Sequence, residues 1–408
     1  MLLKYGMMSG PTMNRQGSKR IFSFLLVSGL FWSPATRSIT AQEAEPRDQP
    51  ISLSRTTAAQ GAGPKPSAKD KTSGETTPQA GAFVIAPLPI SSPAVGSGIV
   101  PIFAYIFPTA DKSPASVLGG AGLVTDNGSR AMAFGGELYL KQNTYRTTAV
   151  YARGNLNYDL YGLGSGDSQP KLPLKQTGQL VLGEFLRRAW WKFFLGPRFF
   201  WGSSLITVRP NNPGAAPLPP DLGLDTKLVA LGFRVDRDTR PNRFYPTAGT
   251  FLDFTADFFS EDLGSKYSFQ SYKLTFNKYW GLTQNQVLAS GSFACFTGGQ
   301  PPFYGNCIYG TNNQLRGYTG GRYLDRYMFG TQLEYRLALP KRFGLVGFGG
   351  LGEVVPGGNQ PFRINNFLPS GGGGVRFALS SKYHVNLRVD FAQAKDSHTW
   401  SVGVGEAF

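Results

Sequence analysis

Residues able to do chemistry are scarce in this 408-residue chain. His384 and His398 are its only histidines, and Cys295 and Cys307 its only cysteines. No Ser-His-acid order and no Cys/His/Asp spacing suited to a metal ion accompanies them, so the reading is of a protein that is not an enzyme and needs no cofactor. His384 opens an alternating stretch and falls on its polar side. Cys295 and Cys307 stand at the root of a long loop. In an oxidising compartment they could bridge and restrain it, but the spacing is equally compatible with free thiols. The remaining candidate is Arg316, in Asn312-Asn313-Gln314-Leu315-Arg316-Gly317-Tyr318. The Gly- and Tyr-rich segment around it, 298–326, is too long and polar for a hairpin turn, and such loops are commonly functional or disordered. A guanidinium in partly desolvated surroundings needs a carboxylate, and planar two-point pairing favours Arg over Lys. Gly317 would let the backbone pass close to a wall or take a positive φ.

The elements that must position these residues are strands. Val385, Leu387, Val389 and Phe391 fall on one face of their stretch, with His384, Asn386, Arg388 and Asp390 on the other, which is the period of two expected of a strand. Val229, Leu231, Phe233 and Val235 repeat the pattern against Arg234 and Asp236, as do Leu252, Phe254, Ala256 and Phe258 against Asp253, Thr255 and Asp257. In Tyr327, Phe329, Leu333, Tyr335 and Leu337 the apolar set faces away from Arg326, Gln332, Glu334 and Arg336. A soluble sandwich and a membrane barrel both give such alternation. The aromatic pairs Trp190-Trp191, Phe193-Phe194, Phe199-Phe200-Trp201 and Tyr279-Trp280 cluster near strand ends, as interfacial girdles do. With 52 Gly and no apolar run of helical-span length, the better reading is a closed transmembrane antiparallel β-barrel.

The first 41 residues read as a signal peptide: Arg15, Lys19 and Arg20 precede the apolar run Ile21 to Trp32, and Ser38-Ile39-Thr40-Ala41 offers the small residues of a cut. The run is too short to span a bilayer, which takes about 20 residues, although an N-terminal anchor is the competing reading. Met13 is a more typical start than Met1. Residues 42–82 are rich in Ala, Thr, Ser, Pro, Gly, Lys and Gln, and are expected to be a disordered periplasmic tail. Residues 83–408 are the expected barrel. Removing residues 1–41 lowers the net charge from +16 to +11. A basic balance can serve nucleic acid, an anionic membrane surface or a pore lining. A secretory signal without any nucleic-acid motif excludes the first.

Candidate strands lie near 94–107, 115–126, 130–142, 144–158, 178–191, 192–208, 225–237, 249–260, 267–280, 286–299, 326–340, 343–355, 370–381, 382–395 and 398–408. That is an odd number, and single-chain bacterial barrels close with an even one, so one strand is missed and the expected total is 16. The chain ends with Trp400, Val402, Val404 and Phe408 on one face, and this C-terminal strand resembles the signal by which outer-membrane barrels are recognised for assembly.

Three segments together resemble the bacterial surface antigen superfamily of outer-membrane assembly and translocation barrels, the BamA/TamA-like proteins. Arg234-Val235-Asp236-Arg237-Asp238-Thr239-Arg240 followed by Tyr245-Pro246-Thr247-Ala248-Gly249 is similar to the family's Asp-x-Arg-Asp turn with Pro-x-x-Gly. Leu315-Arg316-Gly317-Tyr318 matches the motif of its sixth surface loop. Gly330-Thr331-Gln332-Leu333-Glu334-Tyr335-Arg336 and the ending from Arg388 to Phe408 complete the likeness. The resemblance implies a long loop between strands 11 and 12 that folds back into the lumen, with its Arg meeting acids on the wall. Glu334 is the first candidate partner, because it matches the family's acidic position and alternates to the polar face. Where many members carry an acid on the next strand this chain has Gly350, so Glu353 or Asp390 are the candidate substitutes. The resemblance further implies a seam between the first and last strands, here placed near Gly96 and Gly98. The polypeptide-transport-associated domains usual in such proteins find no room in the tail. The chain is therefore expected in the bacterial outer membrane, as a monomeric barrel in contact with outer-membrane lipid, aiding insertion or transport of proteins or envelope components. Periplasmic or lipoprotein accessory proteins and unfolded barrel clients are its expected partners. A porin-like channel preferring anions and a passive surface antigen are the alternatives.

Overall fold

The computed structural model describes residues 81–92, 96–109, 113–160, 172–208, 225–309, 315–318, 323–355, 366–380, 384–395 and 397–408. The expected signal peptide, nearly all of the expected tail, and Asn312, Asn313 and Gln314 of the loop stretch lie outside them. Sixteen strands form one antiparallel sheet in chain order. They are β1 (Ala82–Ser92), β2 (Gly96–Phe107), β3 (Ser116–Thr125), β4 (Arg130–Leu140), β5 (Tyr145–Leu160), β6 (Leu172–Arg188), β7 (Phe193–Val208), β8 (Asp225–Asp238), β9 (Gly249–Phe259), β10 (Phe269–Gly281), β11 (Gln286–Gly299), β14 (Tyr327–Ala338), β15 (Phe343–Val355), β16 (Leu368–Ser380), β17 (Val385–Ala394) and β18 (His398–Val404). Between β11 and β14, the eleventh and twelfth barrel strands, loop six carries a two-residue ladder of its own, β12 (Cys307–Ile308) with β13 (Leu324–Asp325). β1 and β18 come side by side without joining the ladder, so the sheet is nearly closed into a barrel.

Alternation decides which side chains face in. On β14, Met328, Gln332, Glu334 and Arg336 are buried while Phe329, Leu333 and Tyr335 are exposed. The same holds around the sheet, where Phe103, Phe134, Phe185, Phe199, Leu231, Phe233, Phe276 and Leu345 point outward. So broad an apolar outer surface belongs in lipid, with polar groups turned to the lumen. Phe194, grouped with the aromatic girdle by its position at a strand end, instead turns inward and is buried.

The strand missing from the sequence reading is β1, ahead of the first stretch recognised. Its Pro87 and Pro89 read against a strand, because proline is confined to sheet edges where no ladder partner needs its N–H. β1 is such an edge: its full ladder runs to β2 alone, with Pro87 opposite Pro101. The seam therefore lies between β1 and β18, and Gly96, placed there by sequence, opens β2 with φ +82°.

The rims differ in their connections. Where β1 begins and β18 ends, most strands are joined by four-residue turns, at 141–144, 189–192, 282–285 and 339–342. The opposite rim bears the long connections, 161–171, 209–224, 300–326 and 356–367. Outer-membrane barrels place short turns in the periplasm and long loops outside. Toward the long-loop rim, Leu123, Leu156, Tyr158, Leu174, Ile206, Leu228 and Phe269 pack with Tyr304 of loop six into one buried apolar cluster.

Candidate functional site

Loop six is fastened to the wall at its root and at its tip. At the root, Cys295 of β11 and Cys307 of β12 are joined as a disulfide with Cα atoms 5.8 Å apart. Tyr309, Tyr318 and Tyr323 follow, packed edge to face with ring centroids 5.0 to 6.3 Å apart. Burial, and then the neighbouring Tyr318 and Tyr323, push the Tyr309 hydroxyl above its usual range. It stays protonated and donates to the Leu368 carbonyl at 3.0 Å. Tyr318 likewise donates to the Pro369 carbonyl at 2.7 Å.

At the tip, Leu315 is fully buried against β14, where a Cβ on Gly330 would stand 2.1 Å from the Leu315 side chain. Glycine at 330 is what admits the loop. Gly317 has φ +110°, a conformation L side chains rarely adopt, and its carbonyl accepts from Ser397 at 2.9 Å. Between them Arg316 is 6% exposed. Its Nη2 donates to Glu334 Oε2 at 2.5 Å, its Nη1 to Asp390 Oδ2 at 2.8 Å and its Nε to Gln332 Oε1 at 3.2 Å. The guanidinium lies 3.5 Å over the Phe348 ring, so its plane is stacked while its edge is bonded.

Of the acids named from sequence, Glu334 and Asp390 therefore meet Arg316, and Glu353 does not. Glu353 is buried on β15 opposite Phe329. Gly350, where the second acid was missing, pairs with Gln332, and a Cβ there would stand 3.0 Å from Gln332. The amide of Gln332 takes the place beside Arg316, and the second carboxylate arrives from β17.

Sequence reasoning missed what lies behind these partners. Glu334 Oε1 also accepts from Arg336 Nε at 2.7 Å, and Asp390 Oδ1 from Arg376 Nη1 at 2.5 Å. Arg376 Nε in turn donates to Glu406 Oε2 at 2.7 Å, and Arg336 Nη2 to the Phe408 carbonyl at 2.9 Å. Three arginines and three carboxylates alternate from the loop tip to the last residues of the chain. Gln332, Glu334 and Arg336 on one face of β14 were a signal for half of this. An acid inside the otherwise apolar ending Val404-Gly405-Glu406-Ala407-Phe408 was a signal for the rest.

The chain end departs from the sequence reading. Trp400 is 63% exposed toward lipid, but Phe408 is 3% exposed and packs with Tyr279, Ala289 and Ala407. The strand stops at Val404, and Gly405, at φ +85°, turns the tail inward. Phe408 therefore does not share a face with Trp400, Val402 and Val404.

A second inward network stands on the opposite wall. Arg198 pairs with Glu184 and, at 2.6 Å, with Asp257. Arg234 reaches Glu184 at 2.9 Å and Asp253 at 2.8 Å, and Arg146 reaches Asp236 at 2.9 Å. Asp238 closes the turn below by holding Arg240 at 2.8 Å and Arg243 at 2.9 Å. The Asp-x-Arg-Asp stretch is thus an ion-pair scaffold across β5 to β9.

Residues 208–408 match the Omp85 superfamily domain. The C-terminal half of the chain thus carries an Omp85 superfamily domain. A structure of BamA from Haemophilus ducreyi lacking POTRA domains 1–3 superposes with a TM-score of 0.52 at 13% identity, over 80% of this chain and 70% of that one. CdiB from Escherichia coli superposes with a TM-score of 0.54 at 11% identity, over 80% of this chain and 62% of that one. These likenesses establish the fold. No curated protein matches this chain by sequence. The Omp85 domain and the barrel fold together place the chain in the bacterial outer membrane. The paired, stacked guanidinium at loop six offers no nucleophile or proton relay. It is suited to bracing.

Proposed function

We propose that this barrel aids insertion or transport of proteins or other envelope components, with loop six as the brace on which that work depends. The observation that carries the reading is the chain of ion pairs from Arg316 through Asp390 and Arg376 to Glu406. It ties the loop tip to the tail of β18, one of the two strands at the seam that lacks a ladder. A static pore has no need for such a tie. Proteoliposomes holding the pure protein should accelerate membrane insertion of a urea-denatured barrel substrate, alone or with periplasmic extract. No acceleration in either condition overturns the reading. Accessory periplasmic proteins and unfolded barrel clients are the partners it implies.

The competing reading is an anion-preferring channel. Against it, Arg146, Arg198, Arg234, Arg316, Arg336 and Arg376 all meet carboxylates instead of lining an open passage. A large, steady, anion-selective conductance in planar bilayers would favour the channel.

A further inference from the structure

The two rims of the barrel differ in charge as well as in loop length. Among the described residues every exposed acid, Asp126, Asp225, Glu261 and Asp262, lies on the long-loop rim, interspersed with bases such as Arg130, Lys227 and Lys266. The short-turn rim has no exposed acid among the described residues, and its exposed charges are Lys141, Arg187, Arg188, Lys192, Lys341 and Arg342. Large rings stand among them: Trp190 is 67% exposed, Trp191 78% and Phe343 57%. These follow directly on the lipid-facing Phe185, Leu195 and Leu345 of the adjoining strands, so they stand where the hydrocarbon ends.

The backbone supplies an independent observation. Every non-glycine residue with positive φ among the described residues lies in a turn of this rim: Lys141, Gln142, Asn143, Trp191, Lys192, Lys341 and His384. Left-handed backbone costs an ordinary residue about 1–2 kcal/mol, and Gly or Asn normally fills it. A chain with 52 glycines places Lys and Trp there instead. Strain kept in several turns of one rim points to a use for the side chains.

We propose that the short-turn rim is a collar for anionic phospholipid. Lys141, Lys192 and Lys341, with Arg188 beside them, bind headgroup phosphates of acidic lipids in the bordering leaflet. Trp190 and Trp191 hold the collar at headgroup depth. Ammonium groups near an anionic surface gain from each added charge, and Trp rings favour the headgroup region. An acidic protein would answer the same charges but would leave the exposed tryptophans, level with the membrane boundary, without a role. The collar does not depend on what the barrel moves.

The test uses the full chain in vesicles of zwitterionic phospholipid. These carry a minor fraction of either brominated phosphatidylglycerol or brominated phosphatidylcholine, and tryptophan quenching is read. Phosphatidylglycerol should quench more, and the excess should disappear in Trp190→Phe/Trp191→Phe and at high salt. It should fall several-fold in Lys141→Asn/Lys192→Asn/Lys341→Asn, since each lysine is worth about fivefold in local enrichment. Asn is at ease at positive φ, so the triple variant relaxes its turns, and its heat-modifiable gel migration should match that of the parent. Equal quenching by the two lipids, the result expected if a protein is the true occupant, overturns the proposal. So does an excess that survives the triple replacement.

Discussion

At the loop tip the carboxylates are shared, and the sharing sets an order among substitutions. Arg316→Ala leaves Glu334 with Arg336 and Asp390 with Arg376. Glu334→Ala instead strips both Arg316 and Arg336 of their nearest acid. Removing one partner of a buried pair costs about 3–5 kcal/mol, so both variants should lower the heat-modifiable, folded fraction on gels, Glu334→Ala the more. The double variant should lose less than the sum of the two. A strictly additive loss means the residues are uncoupled and the pairing is wrong. Period-two alternation was enough to put Glu334 on the polar face and to keep Asp390 in view. It could not show that Gln332 fills the space beside Gly350, because alternation gives the face of a side chain and not the register between neighbouring strands.

Among the elements, loop six has two independent fastenings, and they should fail differently. The disulfide closes a short loop at the root, a kind of constraint worth about 3 kcal/mol. Arg316 and Tyr318 hold the tip. Reduction alone should leave the tip docked and the loop resistant to limited proteolysis. Reduction of Arg316→Ala should open it to cleavage. Cleavage of the parent on reduction alone would show that the tip contributes no hold. The elements themselves were legible wherever apolar and polar residues alternate, as on β8, β9, β14 and β17. β1 was not, because Pro87 and Pro89 are tolerable only at an edge, and an edge is a property of the assembled sheet. The inward turn of the tail was equally hidden, since Gly405 fits an extended strand as readily as it takes φ +85°.

For the molecule as a whole, the wall from β5 to β9 carries its own alternation of charges around Glu184, Arg198, Arg234 and Asp257. Glu184→Ala leaves Arg198 with Asp257 and Arg234 with Asp253, but removes the one carboxylate that joins them. The expected result is a folded barrel whose urea midpoint falls, by the roughly 3–5 kcal/mol of a broken buried pair, with loop six still protease-resistant. Loss of loop protection together with stability would mean that the two walls act as one network. The three tyrosines packed together within loop six have a practical consequence here. Tyr309, Tyr318 and Tyr323 hold one another edge to face in a fixed, asymmetric arrangement. Fixed chromophores of that kind contribute to near-ultraviolet circular dichroism, and they lose that contribution when they become free to rotate. A difference spectrum between the parent and Tyr309→Phe would therefore give an optical record of loop docking, followed in real time, in detergent or bilayer, without a gel or a protease.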